Sequence, residues 1–62
     1  MALLKITVLA HDPHDALAQV DYTLDGLSLG TEWVSELGLI GLTGDVTPAA
    51  ELVGRVFERQ VD

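Results

Sequence analysis

The sequence of 62 residues contains no cysteine. Disulfide bonds, thiolate metal sites and thiol catalysis are therefore excluded. Without disulfides, a chain this short buries only about 60% of the surface that its unfolded form exposes. Small domains of this kind usually gain stability from a metal ion or a partner chain. We expect one domain over residues 1–62, and the lack of cysteine is typical of a reducing, cytoplasmic location.

Basic residues are also scarce, because three Lys and Arg residues stand against ten Asp and Glu, for a net charge of −7. Direct binding to nucleic acid or to an anionic membrane needs many Lys and Arg side chains. No apolar run reaches the roughly 18 residues of a membrane-spanning helix. The first residues, MALLKITVLAHD, lack the charged start of a signal peptide. The sequence therefore predicts neither a nucleic-acid-binding protein nor a membrane protein.

Aliphatic residues, in contrast, are abundant, with eleven Leu, seven Val and two Ile. This composition is too apolar for a disordered chain. It is also more aliphatic surface than so small a domain can bury alone, and association with further copies would cover the remainder. We therefore expect a homo-oligomer.

Two segments predict strands of an antiparallel sheet. Residues 3–10, LLKITVLA, alternate with period two and carry apolar residues on both faces, which favours a central or interfacial strand. Asp25-Gly26 lies between two further alternating runs and is typical of a two-residue type I′ hairpin turn. The register that follows sets these pairs opposite each other: Leu24 and Leu27, Tyr22 and Leu29, Val20 and Thr31.

The stretch HDPHD, residues 11–15, raises the question of a metal site. Asp12-Pro13 is turn chemistry, followed by either a short helical turn over residues 13–18 or a strand that starts near Leu17. His11 and His14 are potential zinc ligands, but a two-histidine pattern without a second ligand pair is weak. We interpret HDPHD as a solvated turn and expect no metal and no other cofactor.

Glycine spacing and apolar periodicity indicate the structure of the C-terminal half. Residues 34–45 match no phosphate-binding loop and favour a glycine-punctuated strand or loop. Thr47 is a natural N-cap, and a helical apolar stripe follows at Ala49, Leu52, Val53, Val56 and Phe57. The predicted fold is therefore α+β, with a small antiparallel β-sheet, formed by the N-terminal strand and the Asp-Gly hairpin, packed by one C-terminal amphipathic helix.

No constellation of residues predicts catalysis, because neither serine lies in a nucleophile motif and the chain has little room for an enclosed pocket. We expect a non-enzymatic protein–protein interaction module that forms a homo-oligomer. The alternative is an acidic inhibitor, phage- or antitoxin-like, of a basic protein that handles nucleic acid. The candidate partner-binding residues are Asp21 and Glu32 on the polar face of the hairpin, Asp25 at its tip, and Trp33 at the end of its inward face.

Overall fold

The computed structural model describes residues 1–61, so Asp62 of the predicted domain lies outside the described residues. The elements, in chain order, are β1 (Ala2–Asp12), β2 (Leu17–Leu24), β3 (Leu27–Ser35), α1 (Glu36–Thr43), α2 (Ala49–Leu52) and β4 (Val56–Val61). The four strands form one sheet in the order β3-β2-β1-β4, and all neighbours are antiparallel. The chain is thus α+β with a small antiparallel sheet, and β1 is a central strand.

The core lies on one face of the sheet, between the central strands and the two short helices. It contains seven buried hydrophobic residues: Ile6, Val8, Ala18, Val20, Leu39, Ala49 and Leu52. We call this the core face. The opposite face, which carries Thr7 and Asp21 on the central strands, contributes none of these buried residues, and we call it the open face.

A two-residue turn at Asp25-Gly26 joins β2 to β3. The φ angles are 50° at Asp25 and 85° at Gly26, both in the left-handed region that a type I′ turn requires. Leu24 lies opposite Leu27 on either side of the turn. The Asp25 carboxylate accepts a hydrogen bond from the Leu3 N–H at 2.8 Å, and the Asp25 N–H donates to the Leu3 carbonyl at 2.9 Å. The turn is therefore fastened to the start of β1.

Beyond the first pair of residues, the predicted hairpin register is wrong. Tyr22 lies opposite Gly30 rather than Leu29, and Val20 lies opposite Glu32 rather than Thr31. The cause is a bulge, which inserts one extra residue into β3. Gly30 accommodates it with a φ of 107°, where a side chain would be strained. From this point on, the side chains of β3 lie on the faces opposite to those predicted.

HDPHD spans the end of β1 and the turn that leads to β2. The Asp12 carboxylate accepts hydrogen bonds from the N–H groups of His14 at 3.0 Å and Asp15 at 3.4 Å. β2 begins at Leu17, so of the two alternatives for residues 13–18 the strand is the one that forms. Asp12 thus acts as a turn residue through its side chain.

Part of the segment 34–45, predicted to be a strand or loop, is a helix. α1 begins after Ser35, whose hydroxyl accepts a hydrogen bond from the Gly38 N–H at 2.9 Å as an N-cap. It ends at Gly44, which adopts a φ of 73° and donates to the Ile40 carbonyl at 2.7 Å. Two capping residues therefore define a helix whose glycine content argued against one.

The predicted C-terminal amphipathic helix is also wrong. α2 ends after a single turn, and its N-cap position is Pro48, with no side-chain cap, rather than Thr47. Gly54 follows with a φ of 90° and donates a hydrogen bond to the Val8 carbonyl at 2.8 Å. The chain then enters β4, which pairs with β1 and sets Phe57 opposite Ile6. The backbone of residues 56–61, which the apolar periodicity predicts to be helical, instead forms hydrogen bonds with the otherwise unpaired edge of β1.

Candidate interaction surface

The four predicted partner-binding residues do not form one patch. Asp21 lies opposite Thr31 and Trp33 lies opposite Gln19, so both are on the open face. Glu32 lies opposite the buried Val20, at the margin of the core face. The predicted common polar face for Asp21 and Glu32 is therefore wrong. The bulge in β3 shifts the register by one residue and moves the Glu32 side chain to the other face of the sheet.

Trp33 is half exposed, with 51% of its surface accessible to solvent. The prediction that it faces inward is wrong for the same reason as for Glu32. Its position opposite Gln19 makes it a diagonal neighbour of Asp21, within reach of a large aromatic side chain. An exposed Trp at the margin of a sheet is a typical anchor for a partner, since Trp is enriched among interface hot spots.

Glu32 is exposed but held in place by a neighbouring side chain. The Tyr22 hydroxyl donates a hydrogen bond to Glu32 Oε1 at 2.8 Å. Burial, and then this bond and the negative charge of Glu32, raise the pKa of Tyr22 to about 12. Each of these effects favours the neutral phenol, so Tyr22 stays a hydrogen-bond donor at neutral pH and restrains the Glu32 carboxylate.

Asp25, the fourth candidate, already has a structural role. Its carboxylate accepts the Leu3 N–H, and its own N–H is bonded to Leu3. A partner that recruited this carboxylate would compete with the contact that fastens the hairpin turn to β1. Asp25 is therefore a weaker candidate for partner binding than Glu32 or Trp33.

Large hydrophobic side chains are exposed on several parts of the molecule. Among residues 1–61 those are Met1, Leu9, Leu27, Leu29, Trp33, Leu37, Val46, Val53 and Val56. Three of them, Leu27, Leu29 and Trp33, lie on β3, an edge strand in which only Val34 is partly buried. We call these three residues the hairpin edge. Sequence reasoning missed Leu27 and Leu29 because it placed them on an inward apolar face.

The two histidines of HDPHD do not share a site. His11 lies on the core face opposite Ala18, and its Nε2 contacts Glu36 Oε2 at 2.7 Å, whereas His14 is exposed in the turn. This contact joins β1 to the first turn of α1. Within residues 1–61, no group of three or more His, Cys, Asp or Glu side chains is placed to hold a metal ion.

A groove of about 260 Å³ lies between the end of α1 and β4. Gly41 and Gly44 line its helix side, and Phe57 and Arg59 line its strand side. Its volume is below the range of roughly 300–1,000 Å³ that is usual for small-molecule sites. The groove leaves part of the core face beside β4 accessible to solvent.

No helix within residues 1–61 is long and apolar enough to cross a membrane. No protein-family model matches the sequence, and no curated protein and no solved structure is significantly similar to it. The exposed surfaces of the molecule are therefore the features from which a function can be inferred.

Proposed function

We propose that this chain is a non-enzymatic protein–protein interaction module that assembles with further copies of itself through the hairpin edge. The main support is the balance between buried and exposed hydrophobic residues. Seven residues form the core, whereas nine large hydrophobic side chains of the described part of the chain are exposed. Three of the nine lie on the single strand β3, and grouped exposed hydrophobic residues are more typical of an interaction surface than scattered ones.

The hairpin edge is favoured over the other exposed hydrophobic residues because of its position in the sheet. An edge strand presents unpaired backbone N–H and C=O groups, and proteins usually protect such edges with Lys, Pro or a covering element. β3 carries a bulge and Glu32, which are partial protection, but beyond the bulge residues 30–35 form a regular run without Lys or Pro, and only Val34 of the strand is partly buried. Its backbone can therefore pair with another strand, and Trp33 on the open face can contribute to that contact, whereas Leu27 lies on the core face and Leu29 at the bulge.

The alternative function has less support. It is that of an acidic inhibitor, in the cytoplasm, of a basic protein that handles nucleic acid. Such an inhibitor needs acids gathered on one surface, where complementary charge can guide the encounter. Asp21 and Glu32 lie on opposite faces of the sheet, and the Asp25 carboxylate is engaged by the Leu3 N–H. The net charge of −7 alone gives no binding surface.

The proposal is tested with paired substitutions and sedimentation velocity. Replacing Leu29 and Trp33 together with Ser removes the hydrophobic part of the hairpin edge, and we expect the oligomer to dissociate while the circular dichroism spectrum is retained. The matched control is Val46→Ser, because Val46 is more exposed than either residue but lies outside the strands. An oligomer that survives the double substitution but dissociates in the control would place the contact elsewhere.

One further variant separates the two functions. Asp21→Lys reverses an acid on the open face, and an acidic inhibitor should lose salt-sensitive binding to its basic target. For a self-associating module, we expect the oligomer to be unchanged by this substitution. Strong dissociation on Asp21→Lys would show that this acid takes part in the contact between copies.

A further inference from the structure

The sheet has two free edges of different charge. β3, at one edge, carries Glu32 and no basic residue, whereas β4, at the other edge, carries Arg59 on the core face and Glu58 on the open face, and follows directly after Arg55. Within residues 1–61 neither Glu32 nor Arg59 lies within salt-bridge distance of an oppositely charged side chain. Both side chains are exposed, and the hydrogen bond from Tyr22 engages only Oε1 of the Glu32 carboxylate.

We propose that β3 of one copy pairs with β4 of a second copy, so that the sheet continues from one molecule into the next. This inference rests on the self-association proposed above and specifies how it occurs. In the order β3-β2-β1-β4 every neighbouring pair is antiparallel, so the two edge strands β3 and β4 run in opposite directions. A second copy placed side by side therefore continues the antiparallel pattern across the junction.

In one register of this pairing the two strands have equal length, their side chains lie on matching faces of the sheet, and opposite charges lie across from each other. The bulge leaves residues 30–35 of β3 as a regular run of the same length as the six residues of β4, Val56–Val61. Aligned end to end in antiparallel order, they set Glu32 opposite Arg59 and Val34 opposite Phe57. All four lie on the core face, as their partners in β2 and β1 show. Opposite charges at such a cross-strand position stabilise the pairing.

The same register brings together exposed hydrophobic side chains on the open face. Trp33 lies opposite Glu58 and diagonal to Val56, and Trp33 and Val56 are each 51% exposed in the isolated chain. A diagonal neighbour in a sheet is within reach of an aromatic side chain. The pairing therefore covers exposed apolar surface on both edges.

Pairing of like edges gives no comparable match. β3 contains no cation, so two copies of β3 leave Glu32 without an unlike charge opposite it. In β4, Arg59 and Glu58 lie on opposite faces, so two copies of β4 cannot set them directly opposite each other on one face. The contact is thus head-to-tail, and such contacts produce rings or open chains rather than two-fold dimers.

The test uses charge reversal in the full chain, with rescue. Glu32→Arg or Arg59→Glu alone sets like charges opposite each other, and we expect the dissociation constant to rise by about tenfold. An equimolar mixture of the two variants restores the unlike pair at every junction and should restore assembly. The double variant should also assemble, and it keeps the native net charge of −7.

Glu51→Arg is the matched control, because it makes the same change from an exposed acid on α2, away from both edges. We expect its dissociation constant to be unchanged, and circular dichroism checks the fold of every variant. If the wild-type protein is an oligomer but neither single reversal weakens it, the head-to-tail pairing is wrong and self-association stands. The same conclusion follows if the single variants dissociate and their equimolar mixture does not reassemble. A wild-type monomer overturns both.

Discussion

The first three strands and the segment that follows them are held together by different kinds of contact. β1, β2 and β3 follow one another in the chain and pair in the same order, through the turn after Asp12 and the turn at Asp25-Gly26. β4 instead returns to the far edge of the sheet, where Val61 lies opposite Ala2. Short-range turn chemistry therefore shapes the first region, whereas the second region depends on a sheet edge that only the folded first region provides.

Among single substitutions in the two regions, we expect the greatest loss of stability at Leu52. Its side chain is fully buried against the sheet although α2 is a single turn, so Leu52→Ala should lower the free energy of unfolding by about 2–5 kcal/mol. Urea denaturation at one fixed protein concentration measures the loss. Leu37→Ala, at an exposed position of α1, is the control and should change stability by less than about 0.5 kcal/mol. Equal effects at the two positions would contradict the packing of α2 into the common core.

Glycine substitutions should have opposite signs in the two regions. Gly26 adopts a φ of 85° in the turn between β2 and β3, so Gly26→Ala should destabilise the protein by about 1–2 kcal/mol. Gly41 lies inside α1 with open space around a Cβ atom, so Gly41→Ala should stabilise the protein by roughly 0.5–1 kcal/mol. Thermal unfolding of both variants checks the signs. A destabilised Gly41→Ala variant would contradict the position of this glycine in a helix.

A smaller effect distinguishes the observed helix caps from the predicted one. Ser35 accepts the Gly38 N–H at the start of α1, so Ser35→Ala should cost about 1 kcal/mol. Thr47 caps no helix; its side chain, and then its backbone N–H, which donates to Asp45 Oδ1 at 2.8 Å, hold the pKa of the Asp45 carboxyl below its usual range. We therefore expect Thr47→Ala to cost less than Ser35→Ala. A greater loss of stability for Thr47→Ala than for Ser35→Ala in chemical denaturation would support the predicted long C-terminal helix, with Thr47 as its N-cap.

The smallest effect is a change in the titration of Tyr22, the single tyrosine of the chain. Its pKa is raised from 10.0 to about 12, so its contribution to stability is present below pH 10 and is lost as the pH rises through 12. Glu32→Gln removes the negative charge, and the pKa should fall part of the way back, because burial remains. Ultraviolet absorbance of the phenolate measures this shift. An unchanged pKa would contradict the hydrogen bond between Tyr22 and Glu32.

Local chemistry explains which parts of the fold could be predicted. Asp25-Gly26 has the residues of a type I′ turn, and the alternation in residues 3–10 indicates a strand without knowledge of its neighbours. The bulge could not be predicted, because Gly30 differs from an ordinary strand glycine only in its φ. That single residue moves Glu32 and Trp33 to unexpected faces and thereby divides the candidate site.

The helical interpretation of the C-terminal segment was wrong because the same residues serve two kinds of structure. Ala49 and Leu52 do lie on one face of a helical turn, but Phe57 packs against the core from a strand. Gly54 was the available signal, since a glycine is the usual residue to end a helix in the left-handed conformation. The hydrogen bond from the Gly54 N–H to the Val8 carbonyl forms only in the folded sheet, so it could not be predicted from the sequence.

The measurement that tests self-association most directly is native mass spectrometry of the untagged chain over a wide range of concentrations. We predict assembled species that grow with concentration, because seven buried hydrophobic residues are set against nine large exposed ones. The assembly should not require an added metal ion. A chain that remains monomeric at every concentration would contradict the account and would leave the exposed Trp33 to a different partner.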